Sequence, residues 1–330
     1  MNLVFLRGNV PKDRDPNEIK WTSLIDSVDL WEHIAFRLGD QVEIVYWGGK
    51  RQVEYAPGKR VTWVKSLNEY IPPWKPDVIF DRGGFKETHS FLKKHKCFKI
   101  YYGAGIRNLP NAGYTDYNLT LQDSKKRLAE AKSAFPNMKH ILWTKPAIDE
   151  FYPMPYEDRA YDVCYIANGT QADIKGIKWV YQTVPKSIKV LHLGNKSKYK
   201  KPSNVKVRRV IKEKMPSQIS RCKIGILPYS ETDSAPRALP EMLACNLPVV
   251  ALNTVHINAN AYFKDPYLHT KCGCVTNQKT FWKTVEEMIN EQNDYFKKYD
   301  EYPNHVRRHY VSNLSLGKCV EFLKQCLPKE

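Results

Sequence analysis

"DSAPRALPEMLACNLPVVAL", residues 233–252, holds two acids, Asp233 and Glu241, with seven residues between them, and then an apolar strand. Pro236 sits where proline favours a helix start. "RALPEMLACN" (237–246) reads as a short helix, closed by Asn246 and Pro248. "PVVAL" (248–252) is apolar throughout, as a strand covered on both faces must be. The preceding run, "KIGILPYS" (223–230), is another such strand, and it leads into the loop carrying Asp233, Ser234 and Ala235. Strand, polar loop, helix and strand in that order predict a parallel α/β sheet with the loop at a carboxyl edge, where such sheets bind ligands.

The same alternation extends in both directions. Toward the N-terminus the strands read "LVFLRG" (3–8), "QVEIVYWGG" (41–49), "RVTWVKS" (60–66), "KPDVIFDRGG" (75–84) and "CFKIYYGAG" (97–105). Helical spacing covers 21–40, ending at Gly39, then "ETHSFLKKHK" and "DSKKRLAEAKSAFPN". "HILW" is a further strand, followed by a Pro-rich link over 146–160. Beyond it come strands at 161–168, 189–195 and 205–210, helices "GIKWVYQTV" and "PSQISRC", and a late strand at "GCVTN". The C-terminus is helical through "FWKTVEEMINEQNDYFKKY" and "LGKCVEFLKQCL". The expectation is α/β, with two Rossmann-like parallel-sheet domains facing a cleft: 1–150, 151–312, and a helix at 313–330 able to cross back to the first domain.

Composition narrows the classes. A chain of 330 residues can bury two cores. No apolar run approaches the roughly 20 residues of a membrane span. "MNLVFLRGNVPKDRD" becomes charged too early for a signal peptide, so a cytoplasmic location is expected. The eight cysteines are scattered without paired metal spacing and read as reduced, mostly buried thiols. The formal charge of +17 suits a polyanionic partner. The excess concentrates in "GNKSKYKKPSNVKVRRVIKEK" (194–214), which includes Lys200 and Lys201 against Glu213 alone. A solvated basic loop fits that run equally well.

The residues at strand ends carry the chemistry. N–H groups at the helix start near Pro236 suit a diphosphate. Glu241 can accept hydrogen bonds from a ribose diol, and Asp233 can hold sugar hydroxyls. Both also read as a loop acid and a surface helix acid. Gly8, after the first strand, permits close backbone approach or is a plain loop glycine. Asp81 and Arg82 end another strand; Asp81 can orient or deprotonate an acceptor hydroxyl, or simply pair with Arg82. Tyr102 and Arg107 flank the next strand end.

The 233–252 stretch resembles the donor-binding signature of retaining glycosyltransferases of the GT-B fold, notably glycosyltransferase family 4. Asp233 stands for the usual first Glu and Asn246 for a common Gly. "TKPAIDEFYPMP" (144–155), "YDVCYIANGTQADIKGIKWV", "KVLHLGN" with Gly194, and "CGCVTN" are similar to other segments of that family, so the likeness covers about 144–312. It implies a UDP- or GDP-sugar donor. No Asp-x-Asp stands at a strand end, and with cations and a helix start available the reaction need not use a metal. The likeness places Lys175 on the donor diphosphate and Asn168 where an Arg is usual, which leaves Arg237 or Arg209 to supply the second cation. It also implies retention of configuration, with Asp233 and Lys175 as catalytic residues; Asp81, outside the likeness, joins this catalytic set on its strand-end position alone. Bacterial viruses decorate hydroxylated DNA bases with transferases of similar architecture. With the basic charge, this makes such DNA the expected acceptor, ahead of an anionic membrane surface for glycolipid or polysaccharide synthesis. A non-catalytic nucleic-acid-binding protein is the third reading, and the oligomeric state stays open.

Overall fold

The computed structural model describes residues 1–9, 28–82, 86–102, 117–122, 125–143, 145–155, 158–169, 172–211, 214–229, 236–253, 272–298 and 305–328. The chain divides into two units, Met1–Trp143 with Cys319–Glu330, and Thr144–Lys318.

The first unit contains β1 (Asn2–Asn9), α1 (Val28–Leu38), β2 (Gln41–Trp47), β3 (Arg51–Ala56), β4 (Lys59–Val64), β5 (Val78–Arg82), α2 (Lys86–Lys94), β6 (Phe98–Tyr102), β7 (Leu119–Gln122), α3 (Lys125–Ala134) and β8 (Lys139–Leu142). Its sheet runs β3-β4-β2-β1-β5-β6-β7-β8, and β3 alone is antiparallel to its neighbour. The central strands are apolar because both faces are covered: Val4, Leu6, Val45 and Ile79 pack with Phe91 on one side. Phe5, Trp31, Phe80, Tyr102 and Trp143 form an aromatic group, with ring centroids from 4.5 to 5.9 Å apart.

The second unit contains β9 (Tyr161–Ile166), α4 (Ile177–Thr183), β10 (Val190–Leu193), β11 (Val205–Arg208), α5 (Met215–Ile219), β12 (Cys222–Leu227), α6 (Ala238–Ala244), β13 (Val249–Leu252), β14 (Gly273–Thr276), α7 (Phe281–Lys298) and α8 (His305–Asn313). Its sheet is parallel throughout, in the order β11-β10-β9-β12-β13-β14. The last helix, α9 (Leu316–Cys326), begins in this unit and ends among the residues grouped with the first.

Two strands and one helix go beyond the sequence reading. β3 is a polar edge strand without an apolar run, and the Pro57-Gly58 dipeptide between it and β4 was its signal. β7 has four residues, too few to show a period. α8 is mostly polar and is held by tertiary contacts. Tyr310 Oη accepts from Ala147 N at 2.9 Å and donates to Ala147 O at 3.1 Å.

All eight cysteines are free, and Cys164, Cys222, Cys245, Cys272 and Cys319 are buried. Burial pushes the Cys245 thiol up to about 12 and raises that of Cys164 as well, which keeps both protonated and unreactive at neutral pH. No helix among the described residues is long and apolar enough to cross a membrane.

Candidate functional site at the carboxyl ends of the strands

Each sheet reverses its winding once. In the second unit the reversal lies between β9 and β12, because β10 and β11 extend one way and β13 and β14 the other. In the first it lies between β1 and β5. The loops leaving such a pair diverge to opposite faces and open a crevice at the carboxyl edge.

In the second unit, the loop after β9 carries Asn168 and Lys175, and the chain after β12 carries Tyr229, Arg237 and Glu241. Every residue of α6 is buried, Glu241 included, so this acid is not on a solvated helix face. Its Oε1 lies 3.5 Å from Arg237 Nη2 one turn earlier. Pro236 directly precedes Arg237, the N-terminal cap of α6, and its carbonyl accepts from Leu239 N at 3.2 Å. Asp233, Ser234 and Ala235 lie outside the described residues, as does Arg107 of the first unit.

The Lys175 ammonium sits 4.1 Å from the centroid of the Tyr229 ring. Its carbonyl accepts from Tyr165 Oη at 2.6 Å. Asn168, in the position of the expected Arg, is exposed and accepts from Asn195 Nδ2 at 3.4 Å. Gly194 presses on the chain where it leaves β9. A Cβ there would lie 1.8 Å from Ala167 O. Beneath it, buried His192 places Nε2 at 2.9 Å from that same carbonyl and Nδ1 at 2.6 Å from Tyr181 Oη. Donation from Nε2–H to the carbonyl leaves Nδ1 to accept the tyrosine hydroxyl. Burial holds the imidazole below its ordinary pKa and so neutral.

Asn246 sits at a position that accounts for an asparagine where the similar signature commonly has glycine. It closes α6 with φ 60°, in the left-handed region where glycine is the usual residue. Its Oδ1 accepts from Arg307 N at 2.9 Å, near the start of α8, and Arg307 Nη1 donates to Ala244 O at 2.6 Å. Asn246→Gly should therefore cost about 1 kcal/mol, the lost hydrogen bond. Asn246→Ala should cost about 2 kcal/mol, because backbone strain is added. Denaturant titration of both variants checks the order; alanine no worse than glycine would contradict it.

The start of the basic run lies against the loop after β9: a Cβ on Gly169 would fall 2.3 Å from Lys196 O, and Lys198 Nζ is 3.8 Å from Asp173 Oδ2. The 194–204 connection must return from the carboxyl end of β10 to the amino end of β11. Its charges are therefore spread from that loop to the amino end of the edge strand β11. Lys200 and Lys201 are exposed, and Lys201 Nζ donates to Val205 O at 3.2 Å, at the amino end of β11. Arg209 is exposed just beyond the carboxyl end of β11.

In the first unit, Gly8 lies past a bulge at the end of β1, where the register with β2 shifts between Leu6 and Gly8. Asp81 is fully buried and accepts a short hydrogen bond from the Tyr117 hydroxyl. It stands in the interior rather than on an exposed acceptor-facing edge. Arg82 follows at the strand end, half-buried, opposite Tyr102 in register. Tyr102 ends β6, at the strand end where the sequence puts it. Its ring is 4.7 Å from Trp31 and 5.6 Å from Trp143, inside the aromatic group, because strand alternation puts it on the same face as Phe80.

Sequence reasoning passed over four side chains at these edges: Tyr229, Tyr165, His192 and Arg7. Arg7 occupies the β1 bulge, buried, with Nε 3.4 Å from Tyr46 Oη, whose hydroxyl donates to Glu32 Oε1 at 2.6 Å. An arginine ending an apolar run was the available signal. Among the described residues, no group of three or more His, Cys, Asp or Glu is placed to hold a metal ion.

No protein-family model and no curated protein matches the sequence. Solved structures do match the fold. Sucrose-phosphate synthase from Thermosynechococcus elongatus superposes with a TM-score of 0.68 at 9% identity, over 99% of this chain and 98% of that one. HepE from Anabaena, solved with UDP-glucose, gives 0.59 at 11% identity over 99% of each chain. WaaG, a glycosyltransferase of lipopolysaccharide biosynthesis, gives 0.59 at 10% identity, over 99% of this chain and all of the other. At such identities the likeness establishes architecture: this chain has the GT-B fold of two Rossmann-like units, the fold of these glycosyltransferases.

Proposed function

We propose that this protein is a retaining glycosyltransferase that moves a sugar from a UDP- or GDP-sugar to an acceptor hydroxyl. The observation that carries this reading is the placement of Lys175, Arg237 and Glu241 at the carboxyl edge beside the β9–β12 reversal. Glu241 accepts the donor ribose hydroxyls. Lys175 and Arg237 hold the diphosphate, and Asp233 and Gly194 border the sugar. When the bond between the anomeric carbon and phosphate oxygen breaks, the departing nucleoside diphosphate gains charge, and fixed cations lower that barrier. No metal is needed for that step. HepE, of the same fold, is solved with UDP and with UDP-glucose, which supports a nucleotide-sugar donor.

The acceptor we favour is DNA carrying a hydroxylated, notably hydroxymethyl, base. The net charge of +17 supports it, as do the exposed Lys196, Lys198, Lys200, Lys206 and Arg209 on and around β10 and β11. A base inside a duplex must leave the stack to reach a crevice. One observation favours an anionic membrane instead: Ile211, 62% exposed, follows Arg209 and adds an apolar contact to the basic edge.

The test is nucleoside diphosphate release from a panel of UDP- and GDP-sugars, with hydroxymethylated duplex, unmodified duplex, or anionic vesicles bearing lipid acceptors. Release dependent on the hydroxymethylated duplex establishes the DNA reading. Release only with vesicles moves the acceptor to lipid. Salt-sensitive DNA binding with no release from any donor would sink the transferase reading.

A further inference from the structure

We propose that Tyr229 is the positioning residue for Lys175, holding its ammonium where the donor diphosphate arrives; this rests on the reading of Lys175 as a diphosphate contact. A lysine at a helix start is a point charge on a flexible stem and samples many rotamers in water. Here its Nζ lies over the Tyr229 ring, 4.1 Å from the centroid, and the tyrosine is only 1% exposed. The ring face attracts the cation.

The main chain is fixed by separate contacts. Tyr165 Oη donates to Lys175 O at 2.6 Å. Gly176 adopts φ 73°, and a Cβ on it would fall 2.2 Å from Pro228 O. The Gly176 backbone therefore abuts Pro228, the residue between β12 and Tyr229. The Tyr229 hydroxyl donates to the carbonyl of Ile166, the last residue of β9. Tyr229 thus spans the reversal: its hydroxyl secures the end of one strand, and its ring carries the cation of the loop that follows. With Asn168 where the signature resemblance expects arginine, the placement of Lys175 matters more. A cation ordered before binding loses less entropy when the ligand arrives.

Ring and hydroxyl can be separated by substitution. The probes are UDP and GDP, bound to the full chain and followed by calorimetry in wild type, Lys175→Met, Tyr229→Phe, Tyr229→Leu and the Lys175→Met/Tyr229→Leu double variant. Tyr229→Met replaces the leucine variant if that one does not fold. Lys175→Met should weaken the tighter nucleotide about tenfold or more, and Tyr229→Leu about fivefold, within the range of a desolvated cation–ring contact. Tyr229→Phe should stay within about threefold of wild type, because the ring remains. Both Tyr229 variants lose the Ile166 bond, so lost stability alone would not separate them. The double variant should bind no more weakly than Lys175→Met, since the tyrosine acts through the lysine. Wild-type affinity in Tyr229→Leu, or additive losses in the double variant, overturns the role of Tyr229 and leaves the transferase reading standing. No effect of Lys175→Met, or no binding of either nucleotide, overturns the diphosphate reading itself and this inference with it.

Discussion

Glu241→Ala should lower kcat/KM for nucleotide-sugar turnover by about 10²–10³, the largest loss expected from a single side chain here. The carboxylate is buried on a helix with no exposed residue, beside the Arg237 guanidinium. Truncation removes the acceptor for the donor's ribose hydroxyls and leaves Arg237 without this partner. Losing a buried, charged hydrogen-bond partner costs about 3–4 kcal/mol, which is the stated factor in rate. Glu241→Gln keeps the volume and one acceptor oxygen, so its loss should be nearer tenfold. Steady-state diphosphate release on the best donor of the panel measures both. Alanine is a strong helix former, so the alanine variant should stay folded, and circular dichroism checks this. A folded Glu241→Ala variant with unchanged kcat/KM would remove the ribose role.

Gly194→Ala should be the most damaging change to the fold of the second unit. The added Cβ would meet Ala167 O at 1.8 Å, and a backbone atom cannot swing aside as a side-chain tip can. Both partners are already tied. Ala167 N donates to Leu193 O at 3.0 Å, Gly194 N donates to Arg208 O at 2.9 Å, and His192 holds the Ala167 carbonyl. Something in β9, β10 or β11 has to move. We expect a loss of about 2–3 kcal/mol, a fall in Tm of roughly 5–10 °C for a unit of this size. Gly317→Ala is the control, because its Cβ would find only Ser315 Oγ at 3.9 Å, within a helix. That change should be neutral or slightly stabilising. Equal Tm values for the two variants would refute the packing argument.

The second unit was the more legible half, and particular residues show why. "KIGIL", "PVVAL" and "KVLHL" are apolar runs bounded by polar turns, and each became a central or near-central strand. A parallel strand covered on both faces has to be apolar along its length, so its sequence announces it. The Asn246 turn was legible for a similar reason, since few residues tolerate φ 60°. β3 and α8 were not legible. An edge strand has a solvated side and needs no apolar run. α8 draws its stability from Tyr310 and Arg307, which bond to residues more than 150 positions away at Ala147 and Phe151.

The candidate site divides in the same way. The spacing of Asp233 and Glu241 on one strand–loop–helix segment is a local property, and the sequence alone determined it, together with the parallel two-sheet architecture and the strand-end positions of Asp81, Lys175 and Gly194. Only the tertiary structure decided what those ends touch. Asp81 turned inward to Tyr117, Tyr102 joined the aromatic core, and Lys175 came to rest on Tyr229, 54 positions along the chain. Periodicity records which face of an element is covered, because burial acts on every turn or every second residue. It carries no record of which distant side chain does the covering, since that depends on strand order, and strand order is set by packing the whole sheet.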